Sequence, residues 1–98
     1  MSDTAPESDA EDEVCAWAED NGWIVRKTVY LGRRGCPDRH FYGFGQIVVM
    51  EFKRVNGALS GNQRRERRRL EERGVKVHVI EHAEDGIAAL EAAMKVTP

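Results

Sequence analysis

Four apolar residues in a row, Ile47-Val48-Val49-Met50, run directly into Glu51-Phe52-Lys53. No other feature constrains the fold as tightly. A short continuous apolar run, rich in β-branched residues and bounded by turn signals, is the mark of a strand covered on both faces. It predicts a sheet with Gln46 to Phe52 as its central strand. Charge at the end of such a strand is costly unless it is paired or used, so Glu51 and Lys53 need a reason. Side chains alternate along a strand, so these two point to the same face.

The remaining elements follow from local signals. Gly43-Phe44-Gly45 reads as a tight turn, which makes a short strand at about Asp38 to Tyr42 the hairpin partner of the central one. Gly32-Arg33-Arg34-Gly35-Cys36-Pro37 is a loop, and Trp23 to Leu31, rich in β-branched and aromatic residues, reads as the first strand. Ahead of it, Ser8 with Glu11 resembles a capping box, Ala10, Val14, Trp17 and Ala18 recur at helical spacing, and Asn21-Gly22 is a helix stop. Beyond the central strand, Asn56-Gly57 breaks the chain, and Ser60 or Asn62 caps a helix running to about Arg73 and stopped by Gly74. Val75 to Ile80 alternates as a fourth strand, and Glu84 or Asp85 opens a last helix with Ile87, Leu90 and Met94 on one face. The expectation is an α/β fold: a four-stranded mixed sheet flanked by helices, with a right-handed crossover from the third strand to the fourth. Residues 7–98 form one domain behind a disordered lead-in, Met1 to Pro6.

The net charge of −2 argues on its face against a nucleic-acid partner. Its distribution argues the other way. Residues 1–20 hold eight acids and no Lys or Arg, so residues 21–98 carry all 15 basic residues against nine acids. A basic body behind an acidic head points to a polyanion partner; the head itself is read as aiding solubility. There is no apolar run of the roughly 20 residues needed to span a bilayer, and the acidic N-terminus has no signal-like segment, so a cytoplasmic location is expected. Cys15 and Cys36 match no disulfide framework or zinc spacing and read as core or semi-buried residues.

Asp38 lies near the start of the strand paired with the central one. The hairpin register brings it beside the Glu51 end of its partner, so two carboxylates and one ammonium meet at one edge of the sheet. The plain alternative is a solvent-facing ion pair. Set at the end of a buried strand, with Gly-Cys-Pro-Asp at hairpin distance, the grouping suits phosphodiester hydrolysis better. Mg2+ (or Mn2+) wants oxygen ligands and keeps several waters, and two carboxylates leave it room for phosphate. It supplies Lewis acidity and a more acidic water, while the lysine orients or deprotonates the attacking water or offsets developing charge. Pro37 stiffens the approach to Asp38.

Gly35-Cys36-Pro37-Asp38-Arg39-His40, Val48-Val49-Met50-Glu51-Phe52-Lys53-Arg54 and Gly57-Ala58-Leu59-Ser60-Gly61-Asn62-Gln63 together resemble the VRR-NUC family (virus-type replication-repair nucleases) of the PD-(D/E)XK superfamily. The resemblance covers roughly Glu7 to Ile80. It implies a restriction-endonuclease-like αβββαβ core, Asp38 and Glu51 as metal ligands, Lys53 as the catalytic lysine, and Gln63 lining the site. It also implies a first-helix glutamate that is both a catalytic residue and a metal ligand; Glu7 is the first choice and Glu11 the second, with capping as Glu11's other reading. The minimal, stand-alone domain resembles phage-encoded members, and such forms look like homodimers that act on branched DNA, including four-way junctions; the resemblance implies the same here, in the host-cell cytoplasm. The second helix departs from the family, with Arg64, Arg65, Arg67, Arg68 and Arg69 crowding it and Leu70 nearly alone.

Among these, Arg64 and Arg68 share a helical face and are candidates for phosphate contact, against the ordinary reading of a solvated face paired by Glu66, Glu71 and Glu72. Arg33, Arg34 and Arg39, flanking the Asp38 loop, are stronger candidates. His40 is expected to point to the face opposite Asp38, and His78 and His82 to be core or surface residues. Trp17 and Trp23 read as core or dimer anchors. The function expected is a metal-dependent, structure-selective endodeoxyribonuclease. The rivals are a catalytically inactive nucleic-acid-binding subunit on the same scaffold, a regulatory or assembly protein, and a restriction-like endonuclease, which a chain this small has little surface to support.

Overall fold

The computed structural model describes residues 7–96, with the backbone alone for Glu7 and Ser8. The expected lead-in Met1 to Pro6 lies outside the described residues. Helix α1 spans Glu7–Asp20, followed by strands β1 (Ile24–Lys27), β2 (Arg39–Gly43) and β3 (Gln46–Phe52), helix α2 (Gly61–Glu72), strand β4 (Val77–Ile80) and helix α3 (Ala83–Met94). The sheet order is β1-β2-β3-β4. The first three strands are antiparallel neighbours, and β4 runs parallel to β3. This is the mixed sheet that the apolar run and its crossover predict.

The β2–β3 hairpin closes with Gly43 across from Gln46. Both turn residues, Phe44 (φ 53°) and Gly45 (φ 75°), are left-handed, as a two-residue hairpin turn demands. Phe44 is an unusual residue to hold there, and its ring packs on Trp23 with centroids 5.0 Å apart. From this turn, alternation fixes the faces. Phe41, Val48, Met50, Phe52 and Ile80 pack with Val14, Ala18 and Leu90 in the core between the sheet and the α1/α3 layer. Where α3 crosses α1, a Cβ on Gly86 would stand 2.8 Å from Val14 Cγ2, so the close approach depends on that glycine.

Helix α2 lies on the other side of the sheet and is fastened differently. Its one buried residue is Glu66, and Leu70 is half-buried. Ser60 caps it, with Gln63 completing a reciprocal capping box. The Tyr30 hydroxyl donates to Glu66 Oε2 at 2.7 Å. Polar side chains therefore do the docking that apolar ones do elsewhere, which answers how so arginine-rich a helix packs.

Several expectations need correction. The first strand stops at Lys27 rather than Leu31. Lys27 pairs with Arg39, the first residue of β2, and the preceding Pro37 has no N–H to continue a ladder. Val29 and Leu31 accordingly stand 75% and 96% exposed in a loop. The second strand starts at Arg39, one residue after Asp38, and the fourth at Val77 rather than Val75. His40 pairs with Val49, two residues before Glu51, and so lies on the Glu51 face. Residues two apart on a strand share a face, so the expected separation of His40 from Asp38 was a misapplied alternation. His40 Nδ1 instead meets the Tyr42 hydroxyl at 3.0 Å on that face.

Candidate active site

Arg39 and Met50 are the last β2–β3 pair, and one more step of the register sets Asp38 across from Glu51. Asp38 is held on two sides. Its Oδ2 accepts from the Phe52 N–H at 2.7 Å. Its own carbonyl accepts from Thr28 N at 3.1 Å, and Thr28 Oγ1 donates to the Pro37 carbonyl at 2.6 Å. The loop that carries Asp38 is thus stitched to the end of β1.

Glu51 is 2% exposed. A buried carboxylate needs donors, and Gln63 Nε2 supplies one to Oε1 at 2.9 Å. The other end of that amide, Gln63 Oε1, accepts from Ser60 N at 2.9 Å. Both ends of the amide are committed, so its orientation is set by its partners. The same capping box that starts α2 therefore aims a donor at Glu51. Gly35 brings the loop against this corner: it sits at φ 92°, and a Cβ there would come within 2.5 Å of the Asn62 carbonyl oxygen.

Lys53 follows the last residue of β3, and its N–H still bonds the Ile80 carbonyl at 2.9 Å. Its Nζ donates to the Gly57 carbonyl at 2.8 Å and pairs with Glu81 Oε1 at 2.7 Å. Glu81 was missed from the sequence. The signal lay in the parallel pairing of β3 with β4, which puts the residue after Ile80 beside the residue after Phe52.

Cys36 is half-buried beside these carboxylates. Burial pushes its thiol up, the Thr28 hydroxyl opposes this, and the charges of Glu51, Asp38 and Glu66 add to the rise. A thiol is a soft ligand and suits Mg2+ or Mn2+ poorly, so the hard donors at this corner are the carboxylate oxygens. Among the described residues no group of three or more His, Cys, Asp or Glu side chains is placed to hold a metal ion. The two carboxylates nevertheless fit Mg2+ or Mn2+ in donor type, since such ions take hard oxygen ligands and rarely an all-protein cage.

Glu7 is the first residue of α1, and its side chain lies outside the described residues. Glu11, the second choice, is engaged elsewhere: its Oε2 accepts from Arg39 Nε at 2.6 Å. Arg39 pairs with Met50 and so projects toward α1. The structure brings it to Glu11 rather than to the carboxylate corner, because the residue after Asp38 must point the opposite way. Arg33 reaches Glu66 Oε1 at 3.5 Å, and Arg34 is exposed. Arg64 Nη1 donates to the Leu59 carbonyl at 2.7 Å. Arg64 and Arg68 are exposed and line a shallow groove with Arg67, Glu71 and Glu72. A roomier apolar groove of about 680 Å³, lined by Ile47, Val49, Val75 and Val96 among others, contains no carboxylate and takes no part in this chemistry.

No family model matches the chain, and no curated protein is detectably similar to it. A solved structure described as a VRR_NUC domain is similar at a TM-score of 0.79 and 29% identity, covering 89% of this chain and 97% of its own.

Proposed function

We propose, from the premise that the chain belongs to the VRR-NUC family and is a nuclease domain of the PD-(D/E)XK type, that it is a metal-dependent, structure-selective endodeoxyribonuclease acting on branched DNA. The observation that carries this reading is the buried Glu51, set across from Asp38 by the hairpin register and held by Gln63. Asp38 and Glu51 would hold Mg2+ or Mn2+, with Glu7 as the first-helix acid; the commitment of Glu11 to Arg39 supports that choice over Glu11. When bound, the ion supplies Lewis acidity toward phosphate and a more acidic water. Gln63 orients Glu51, and Lys53 holds the attacking water or a phosphate oxygen through its ammonium. Arg64 and Arg68 contact phosphates along α2, and Arg33 and Arg34 contact them beside the Asp38 loop. A two-fold dimer matches the symmetry of a four-way junction, and sedimentation showing only monomer at working concentration would remove that part.

The test is cleavage of labelled four-way junction, flap, linear duplex and single-stranded DNA in Mg2+, Mn2+ or EDTA, by wild type and Lys53→Ala. Cutting of branched DNA that needs metal and is lost in the variant is expected. A folded wild type that binds DNA and cuts none of these in either metal overturns the reading.

A further inference from the structure

We propose that Glu81 is the positioning residue for the Lys53 ammonium; this rests on the nuclease reading of the same site. The backbone comes first. Phe52 and Ile80 are the last parallel pair, and the Lys53 N–H donates to the Ile80 carbonyl at 2.9 Å. Glu81 is thereby delivered beside Lys53 by the sheet, with no loop between them to wander. The side chains then meet, Nζ to Oε1 at 2.7 Å, with the pair 19% and 33% exposed.

Each partner is fixed a second time. The Gly57 carbonyl accepts from the same Nζ at 2.8 Å. Glu81 Oε2 accepts from the Asn56 N–H at 3.3 Å. The Lys53 hydrogen bond, then the Asn56 one, holds the Glu81 carboxyl below its ordinary range. An isolated surface pair gains little because two long side chains must be ordered to make it. Here the ordering is shared among backbone groups at Asn56, Gly57 and Ile80, so the ammonium has a defined seat. It has three N–H groups; Glu81 and Gly57 fix its position, and from that seat it would reach a water or a phosphate oxygen.

The need for such a seat follows from the rest of the corner. Asp38 and Glu51 carry the negative charge that would hold a cation, and a flexible ammonium nearby is drawn to the same carboxylates. A carboxylate on the far side, at the β4 end of the parallel pair, holds Lys53 against that pull. Glu81 touches neither the proposed ion nor the phosphate; it acts through Lys53.

The experiment measures kcat and KM on the preferred DNA for wild type, Lys53→Ala, Glu81→Gln and Glu81→Asp, with the fold of each checked by circular dichroism. Misplacement of a reacting group by about an ångström lowers rates roughly 100-fold. Glu81→Gln, which keeps the shape and removes the charge, is expected to lower kcat by about 10- to 100-fold with KM unchanged, and Glu81→Asp to restore part of the loss. If both folded Glu81 variants keep wild-type kcat while Lys53→Ala is inactive, this inference fails and the nuclease reading stands. If wild type itself does not cut, the nuclease reading fails, and this inference with it. Should one variant not fold, the other decides.

Discussion

The Tyr30 hydroxyl donates to Glu66 Oε2 at 2.7 Å, joining the loop before Asp38 to a helix 36 residues further along the chain. Glu66 also lies 3.5 Å from both Arg33 and Arg69, so one buried carboxylate gathers three partners. Tyr30→Phe leaves that carboxylate short of a donor and is expected to cost about 1–2 kcal/mol. For a chain of this size each kcal/mol lowers Tm by roughly 4–8 °C, which thermal denaturation will read. Burial, then the bond to Glu66, pushes the Tyr30 hydroxyl up from 10 to about 12. A group whose folded pKa is raised gives stability that is complete below the unfolded value and lost as pH rises through the folded one. Wild type should therefore lose stability from about pH 10 toward 12 more steeply than Tyr30→Phe.

Two loop glycines should respond differently to alanine. Gly35 has no room: at φ 92° its Cβ would stand 2.5 Å from the Asn62 oxygen. Gly32, at φ 74°, has nothing within 4 Å of a Cβ. Gly32→Ala should cost only the left-handed backbone penalty, about 1 kcal/mol, and keep activity. Gly35→Ala must also push the loop off α2, so both Tm and cleavage should fall well beyond the Gly32 variant.

Gln63→Ala removes the donor to Glu51 and one half of the capping box. Loss of a group that orients a metal ligand typically costs about 10- to 100-fold in metal affinity or activity. Titration of Mn2+ against the variant, followed by its electron paramagnetic resonance signal, should show weaker binding. Unchanged Mn2+ affinity would mean that Gln63 serves the helix alone.

Salt dependence separates the arginines. Each phosphate contact contributes close to one unit to the slope of log K against log salt. Arg64→Ala and Arg68→Ala should each lower that slope by about one. Arg39→Ala should leave it unchanged and lower Tm instead, since Arg39 is spent on Glu11.

How much was legible in the sequence depended on how local each cause was. The β3 run, its two-residue turn and the Ser60 cap are written in adjacent residues, and each appears where those residues put it. From the turn the register of Asp38 against Glu51 follows by counting. The Val29-Tyr30-Leu31 stretch misled because composition records what a strand favours, whereas a strand also needs a partner, and the last one on this side is the Asp38 carbonyl, which Thr28 N uses. Glu81 and Glu66 were not legible as partners for a related reason. One depends on the pairing of β3 with a strand 25 residues later, the other on how α2 is turned toward a loop.

Helix α2 is fastened to the domain through Glu66, Gln63, its cap and a Glu71 carboxylate that accepts from the Val77 N–H, and none of its residues belongs to the apolar core. It behaves as an interchangeable cassette. Its exposed positions are open to rewriting, by evolution or by design, in charge, reach and sequence preference, while the apolar core between sheet and α1/α3 remains indifferent to the change. In most domains a helix that altered its face so freely would have to renegotiate its packing. Here most of the outward chemistry falls on residues that the apolar core does not touch.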